Sequence, residues 1–261
     1  MKKTIILVAV LASALLSSCK KETEQALPQP VTENVSVTKT GSLSPGAIHN
    51  NLLSGYIDLY GLAEDEEITL AEARADYLAI CQIAQNRGLG STRLTPAQEA
   101  GFLTAYAAGA GFFNNGVLSA PQVLVTAAIQ RVENTAVRAA FTQVYVLAQQ
   151  GDDSWEEASQ QVLIQLTGLS LKDKNIVDGF GSVLGSSYEL WRGKTSVEAY
   201  RKKFVAVCDA IGYAVGQAAE DEYHENMRYE ADHDGYNYYA ENMHWAEKTS
   251  AAWSAQAAKT K

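Results

Sequence analysis

The chain has 261 residues, 47% of them hydrophobic and 20% charged, and a formal net charge of −9. That length supports one large domain or two small ones, with a core that needs no disulfide or metal staple. The acidic balance argues against nucleic-acid binding, which needs clustered Lys and Arg on phosphates, and against attachment to anionic lipid through a basic face.

In chain order, Lys2 and Lys3 precede an apolar run from Ile5 to Leu16. A run of that length matches the apolar region of a secretion signal and is short of the roughly 20 residues that span a bilayer. It ends in Leu16-Ser17-Ser18-Cys19. Residues 20–46 contain Pro28, Pro30 and Pro45 with many Thr, Ser and Gln. They predict a flexible tether, roughly 30 Å in mean reach as a coil.

From there the pattern is helical almost throughout. Apolar spacing over Glu66–Asn86 predicts one helix, ended at Gly88 or Gly90. Thr95, Pro96 and Gln98 form a capping box that opens the next, and Asn114-Asn115-Gly116 stops it. Ser119 with Pro121 opens a third, and Asn134 caps a helix running to Gln150. Ser154 and Glu157 read as a second capping box. Ser170 opens a helix that ends at Gly193, Ser196 opens a long one to about Tyr229, and a last helix is expected over about Tyr238–Ala258. No segment alternates apolar and polar residues in the period of two that a half-buried strand shows. The expected fold is therefore an all-α multi-helix bundle: residues 47–261 as a single α-helical domain, with an acidic helix–turn–helix at 220–258.

Gly181 with Gly185, and Gly212 with Gly216, form two G-x-x-x-G pairs. The run from Phe204 to Ala219 is too short for a membrane and is interrupted by Asp209, so these pairs predict close helix packing in a water-soluble core. Cys81 and Cys208 lie on apolar helix faces, either as a disulfide or as small buried thiols.

Residues 220–247 concentrate the chemistry. They hold nine acids against the single base Arg228, three of the four histidines (His224, His233, His244) and six tyrosines or tryptophans. Charge that dense calls for basic neighbours, water or a bound cation. Read most simply, it is a solvated helix–turn–helix whose tyrosines pack on the bundle. Glu230, Asp232 and Asp234, then Gly235, Tyr236 and Glu241, also resemble the EF-hand calcium loop, which takes oxygen ligands at positions 1, 3, 5, 7 and 12 and glycine at 6. The resemblance implies calcium held by the Glu230, Asp232, Asp234 and Glu241 carboxylates and the Tyr236 carbonyl, with Tyr238 reaching it through water. Glu230 stands where the family has Asp, Asn237 where it has an aliphatic residue, and no second loop is evident. Glu230-x-x-His233 and Glu241-x-x-His244 each match the half-motif of di-iron bundles. His224-Glu225-x-x-Arg228 lacks the second histidine of a zinc-protease motif.

Leu16-Ser17-Ser18-Cys19 resembles the lipobox of bacterial lipoproteins. That resemblance implies removal of residues 1–18, lipid on Cys19 and attachment to a membrane of the bacterial cell envelope; with Lys20 rather than Asp next, it implies the outer membrane. Losing Lys2 and Lys3 with the signal takes the formal charge from −9 to −11. No nucleophile elbow, P-loop or dinucleotide fingerprint occurs. The sequence is thus read as a non-enzymatic envelope lipoprotein that meets a protein partner or supports the envelope, the alternative being a calcium-binding lipoprotein.

Overall fold

Local capping chemistry sets where most of the helices start. The computed structural model describes residues 43–62, 67–150, 154–193, 199–234 and 238–259; the signal, Cys19 and nearly all of the tether lie outside them. Helix α1 (Pro45–Tyr60) starts inside the stretch expected to be tether, because Ser44 accepts the Ala47 N–H and Pro45 presets the first turn. Helix α2 (Leu70–Asn86) and helix α3 (Pro96–Gly109) each carry a complete capping box, Thr69 with Glu72 and Thr95 with Gln98.

Strands β1 (Phe113–Asn114) and β2 (Val117–Leu118) form a minimal antiparallel hairpin where the sequence predicts only a helix stop. Asn115 and Gly116 both have positive φ, 51° and 80°, which is the two-residue turn that Asn-Gly favours. The hairpin is tied to the start of α2, where the Leu118 N–H donates to the Ile68 carbonyl.

Helix α4 (Pro121–Gln130) has no side-chain cap, while Asn134 caps helix α5 (Thr135–Gln150) through the Ala136 and Val137 N–H groups. Helix α6 (Trp155–Ile164) forms as expected, but Ser154 makes no capping bond, so the second capping box is not realised. Helix α7 (Leu171–Arg192) is capped by Ser170. Helix α8 (Ala199–Asp234) is a 36-residue rod, longer than the expected end at Tyr229. Helix α9 is Trp245–Lys259 rather than Tyr238–Ala258. The architecture is the all-α bundle expected, nine helices among the described residues, and residues 42–261 form one compact unit.

The bundle is organised around α9. Every residue from Trp245 to Ala258 is buried. Helix α8 packs along it, with α1, α2 and α3 on its other sides. The approach to α8 is backbone to backbone: a methyl group added at Gly216 would meet the Trp245 carbonyl and lie 2.7 Å from Ala246 Cα, and one at Gly212 would lie 3.0 Å from Ser250 Cα. The other glycine pair serves a different interface, since Gly181 and Gly185 face Leu163, Gln160 and Glu156 of α6. Cys81 and Cys208 are free, buried thiols. No helix among the described residues is long and apolar enough to cross a membrane.

A paired substitution checks the glycine contact. Gly216→Ala removes a helix-weakening glycine yet forces two backbones apart, so urea denaturation should show a loss of about 1–3 kcal/mol. Gly101→Ala in α3 meets nothing within 4 Å and should instead stabilise by about 0.5–1 kcal/mol.

Candidate functional site

The acidic segment is resolved piece by piece. Glu230, Asp232 and Asp234 are exposed positions of continuous helix. Residues two apart on an α-helix point about 200° away from each other, so alternate carboxylates of this run cannot converge on one ion. Tyr236, assigned a carbonyl ligand, lies outside the described residues. Glu241 is committed elsewhere: Ser91 Oγ donates to it at 2.5 Å, and the Thr92 N–H and hydroxyl donate at 3.3 and 2.5 Å. These bonds hold the Glu241 carboxyl below its usual range even though its burial pushes the other way. The described part of that stretch is thus helix through Asp234 and, at Glu241, a carboxylate bonded to Ser91 and Thr92. The described residues contain no cluster of three or more His, Cys, Asp or Glu placed to hold a metal. The two Glu-x-x-His halves do not meet either: His233 is exposed beside Asp234, and His244 lies 3.6 Å from Glu247.

The irregular segment 238–244 explains why α9 starts late. Arg93 donates to the Tyr239 carbonyl at 2.6 Å and stacks 4.7 Å over the Tyr238 ring. Glu220 on α8 accepts the Met243 and Trp245 N–H groups at 2.8 and 2.9 Å. A carboxylate from another helix thus caps α9, satisfying free N–H groups with the favoured charge at the positive helix end. His224 sits between that carboxylate, at 3.6 Å, and the Tyr238 hydroxyl, at 2.5 Å.

Two groups of buried ionisable side chains line α9. In the first, Lys248 Nζ donates to both Glu99 oxygens at 2.8 and 2.9 Å, and Trp245 Nε1 donates to the same carboxylate at 3.1 Å; both charged side chains have zero exposure. In the second, Asp209 Oδ2 accepts from Ser187, from Ser254 at 2.8 Å and from Trp191 Nε1 at 3.4 Å, with His49 Nε2 at 3.5 Å. Burial pushes Asp209 up to about 8 and His49 down to about 4, so the pair avoids isolated charge in the core. This cluster contains Ser, His and Asp but is not a nucleophilic triad. Both serines donate to the aspartate, the imidazole Nδ1 faces Asn50 Oδ1 at 2.9 Å, and His49, Ser187, Asp209 and Ser254 are all fully buried. A triad needs nucleophile and base in contact and open to substrate. The thiols are equally withdrawn: burial pushes Cys81 up to about 12 and Cys208 upward too, far from the reactive thiolate.

Two shallow surface depressions, one beside the hairpin at Glu67, Asn114 and Val123 and one between α6 and α7 at Gln160, Ile164 and Val177, touch neither group of buried ionisable side chains. Of the residues that organise the interior, Glu99 and Lys248 carry no sequence signal as a pair, while Asp209 interrupts an apolar run and His49 stands apart from the other three histidines. The signal for Lys248 alone is its place inside an alanine- and serine-rich helix. Comparison with known proteins finds no matching family model, no similar curated protein and no similar solved structure.

Two measurements test these clusters. Lys248→Met leaves a buried carboxylate unpaired and should cost about 3–5 kcal/mol, most of it recovered in Lys248→Met/Glu99→Gln; denaturant midpoints of the two proteins check this. The second concerns pH. Between the ordinary His value of 6.5 and the Asp209 value of about 8, the folded pair keeps a proton that the unfolded chain has released. Stability should fall as the pH rises through that window, with a limiting slope of about 1.4 kcal/mol per pH unit for one proton. Asp209→Asn should flatten that slope, read from thermal midpoints between pH 6.5 and 8.

Proposed function

We propose that this chain is a membrane-anchored lipoprotein of the bacterial cell envelope, whose helical domain has a non-enzymatic binding or structural role. The observation that carries the reading is Leu16-Ser17-Ser18-Cys19 behind Lys2, Lys3 and a short apolar run. Lipid on Cys19 would supply the membrane attachment, and two or more acyl chains bind a bilayer stably where one does so only marginally. The interior supports a structural reading of its polar chemistry, because its carboxylates, hydroxyls and lysine are engaged in joining helices. A strongly acidic surface is offered to an envelope partner at the end of α8, where Glu225, Glu230, Asp232 and Asp234 are exposed with Tyr229.

Metabolic labelling with an alkyne fatty acid, followed by fractionation, tests the anchor. The wild-type chain should take up label and sediment with membranes. Cys19→Ala should lose both, and an unlabelled wild-type chain would overturn the reading.

A further inference from the structure

Helix α9 is unusual in composition for where it sits. A helix buried on all sides is normally apolar on all sides, yet α9 buries Glu247, Lys248, Thr249, Ser250, Ser254 and Gln256 along with its alanines and two tryptophans. Its groups complete the bonding of other elements. Lys248 neutralises Glu99 of α3, and Trp253 Nε1 donates to the Tyr77 hydroxyl of α2 at 2.9 Å. Ser254 and Ser250 satisfy the Asp209 side chain and carbonyl of α8. Lys259 reaches Asp76 of α2 and Tyr56 of α1 at 2.9 and 2.6 Å.

Without α9, the faces of α8, α1, α2 and α3 that it covers would be open to water. Glu99 would lose its counter-ion and Asp209 a hydroxyl donor. Losing all of these contacts together is large against the marginal stability of a whole domain.

We propose that α9 is the closing element of this fold: the helices before it form a groove whose ligand is residues 245–259 of the same chain, and the native core is not reached until that helix is in place. Synthesis runs from the N-terminus, and domains fold as their residues emerge. The element that completes this core comes after every other described helix, so the core stays open until all of those helices have been made. For an exported polypeptide, which crosses its membrane unfolded, that order postpones folding; this consequence rests on the lipoprotein reading, whereas the closing role of α9 does not.

The test uses the full chain with Cys19→Ala, so that no lipid is added, and a specific protease site replacing residues 235–237. Cut after folding, the C-terminal fragment should co-elute with the rest in native buffer and separate only in denaturant. The larger fragment, freed and returned to native buffer, should lose its cooperative thermal transition and be digested roughly 100-fold faster than the cut complex, the factor that about 2.7 kcal/mol represents. One equivalent of the C-terminal fragment should restore both properties. A fragment with Ser250→Leu, which collides with Gly212, should fail to restore them, while one with Tyr239→Ala, an exposed position, should succeed. A larger fragment that melts cooperatively and resists protease alone would overturn the proposal, as would equal rescue by the Ser250→Leu fragment. No membrane enters this assay, so its failure is distinct from a failure of lipid labelling.

Discussion

The rest of the structure depends on the contact between α8 and α9 at Gly212 and Gly216. There the two helices meet backbone to backbone, at a separation that no side chain on α8 would allow. That approach sets the height and rotation of α9, and so where its other side chains arrive. With Ser250 against Gly212, Ser254 one turn on reaches Asp209 and Trp253 reaches Tyr77, while Lys248 turns toward α3. A glycine contact that is only van der Waals in itself therefore decides the pairing of most of the buried polar groups.

Those polar groups impose specificity on a core that small residues alone would leave permissive. Alanine and serine pack closely in many registers, but a carboxylate with zero exposure tolerates only the register that brings its partners. Glu99 and Asp209 act on α9 in this way from two sides, and Glu220 fixes its start by capping it. The three carboxylates come from α3 and α8, so α9 is held in place from helices that are far apart in sequence. The larger aromatic contacts, such as the Phe141–Phe180 stack at 3.9 Å between ring centres, hold the outer helices around this centre.

The acidic stretch after Ala219 shows how one composition is divided among different tasks. Glu220 caps a helix, Glu241 docks an irregular segment on the turn at Ser91 and Thr92, and Glu247 lies beside His244. The carboxylates from Glu225 to Asp234 face water instead. Continuous helical hydrogen bonding through Asp234 turns side chains two residues apart away from each other.

Much of the fold was legible before any coordinates. Thr95, Pro96 and Gln98 open α3, Ser170 opens α7 and Asn134 caps α5, because capping depends on residues within one turn of each other. The glycine spacing announced close packing, though not which helix each pair would meet. The Asn115-Gly116 hairpin was also present in the residues, but two-residue strands are too short for an alternating pattern to register. What only the tertiary structure decided is what long-range contact controls. The burial of every face of α9 overrides its polar composition. The late start at Trp245 is imposed by Arg93, Ser91 and Glu220 from elsewhere in the chain. The pairing of Lys248 with Glu99 and of Ser254 with Asp209 joins residues 149 and 45 positions apart. Local sequence specifies hydrogen bonds closed within a turn or two of helix; a buried charge is matched only when the packed backbone brings its partner to it.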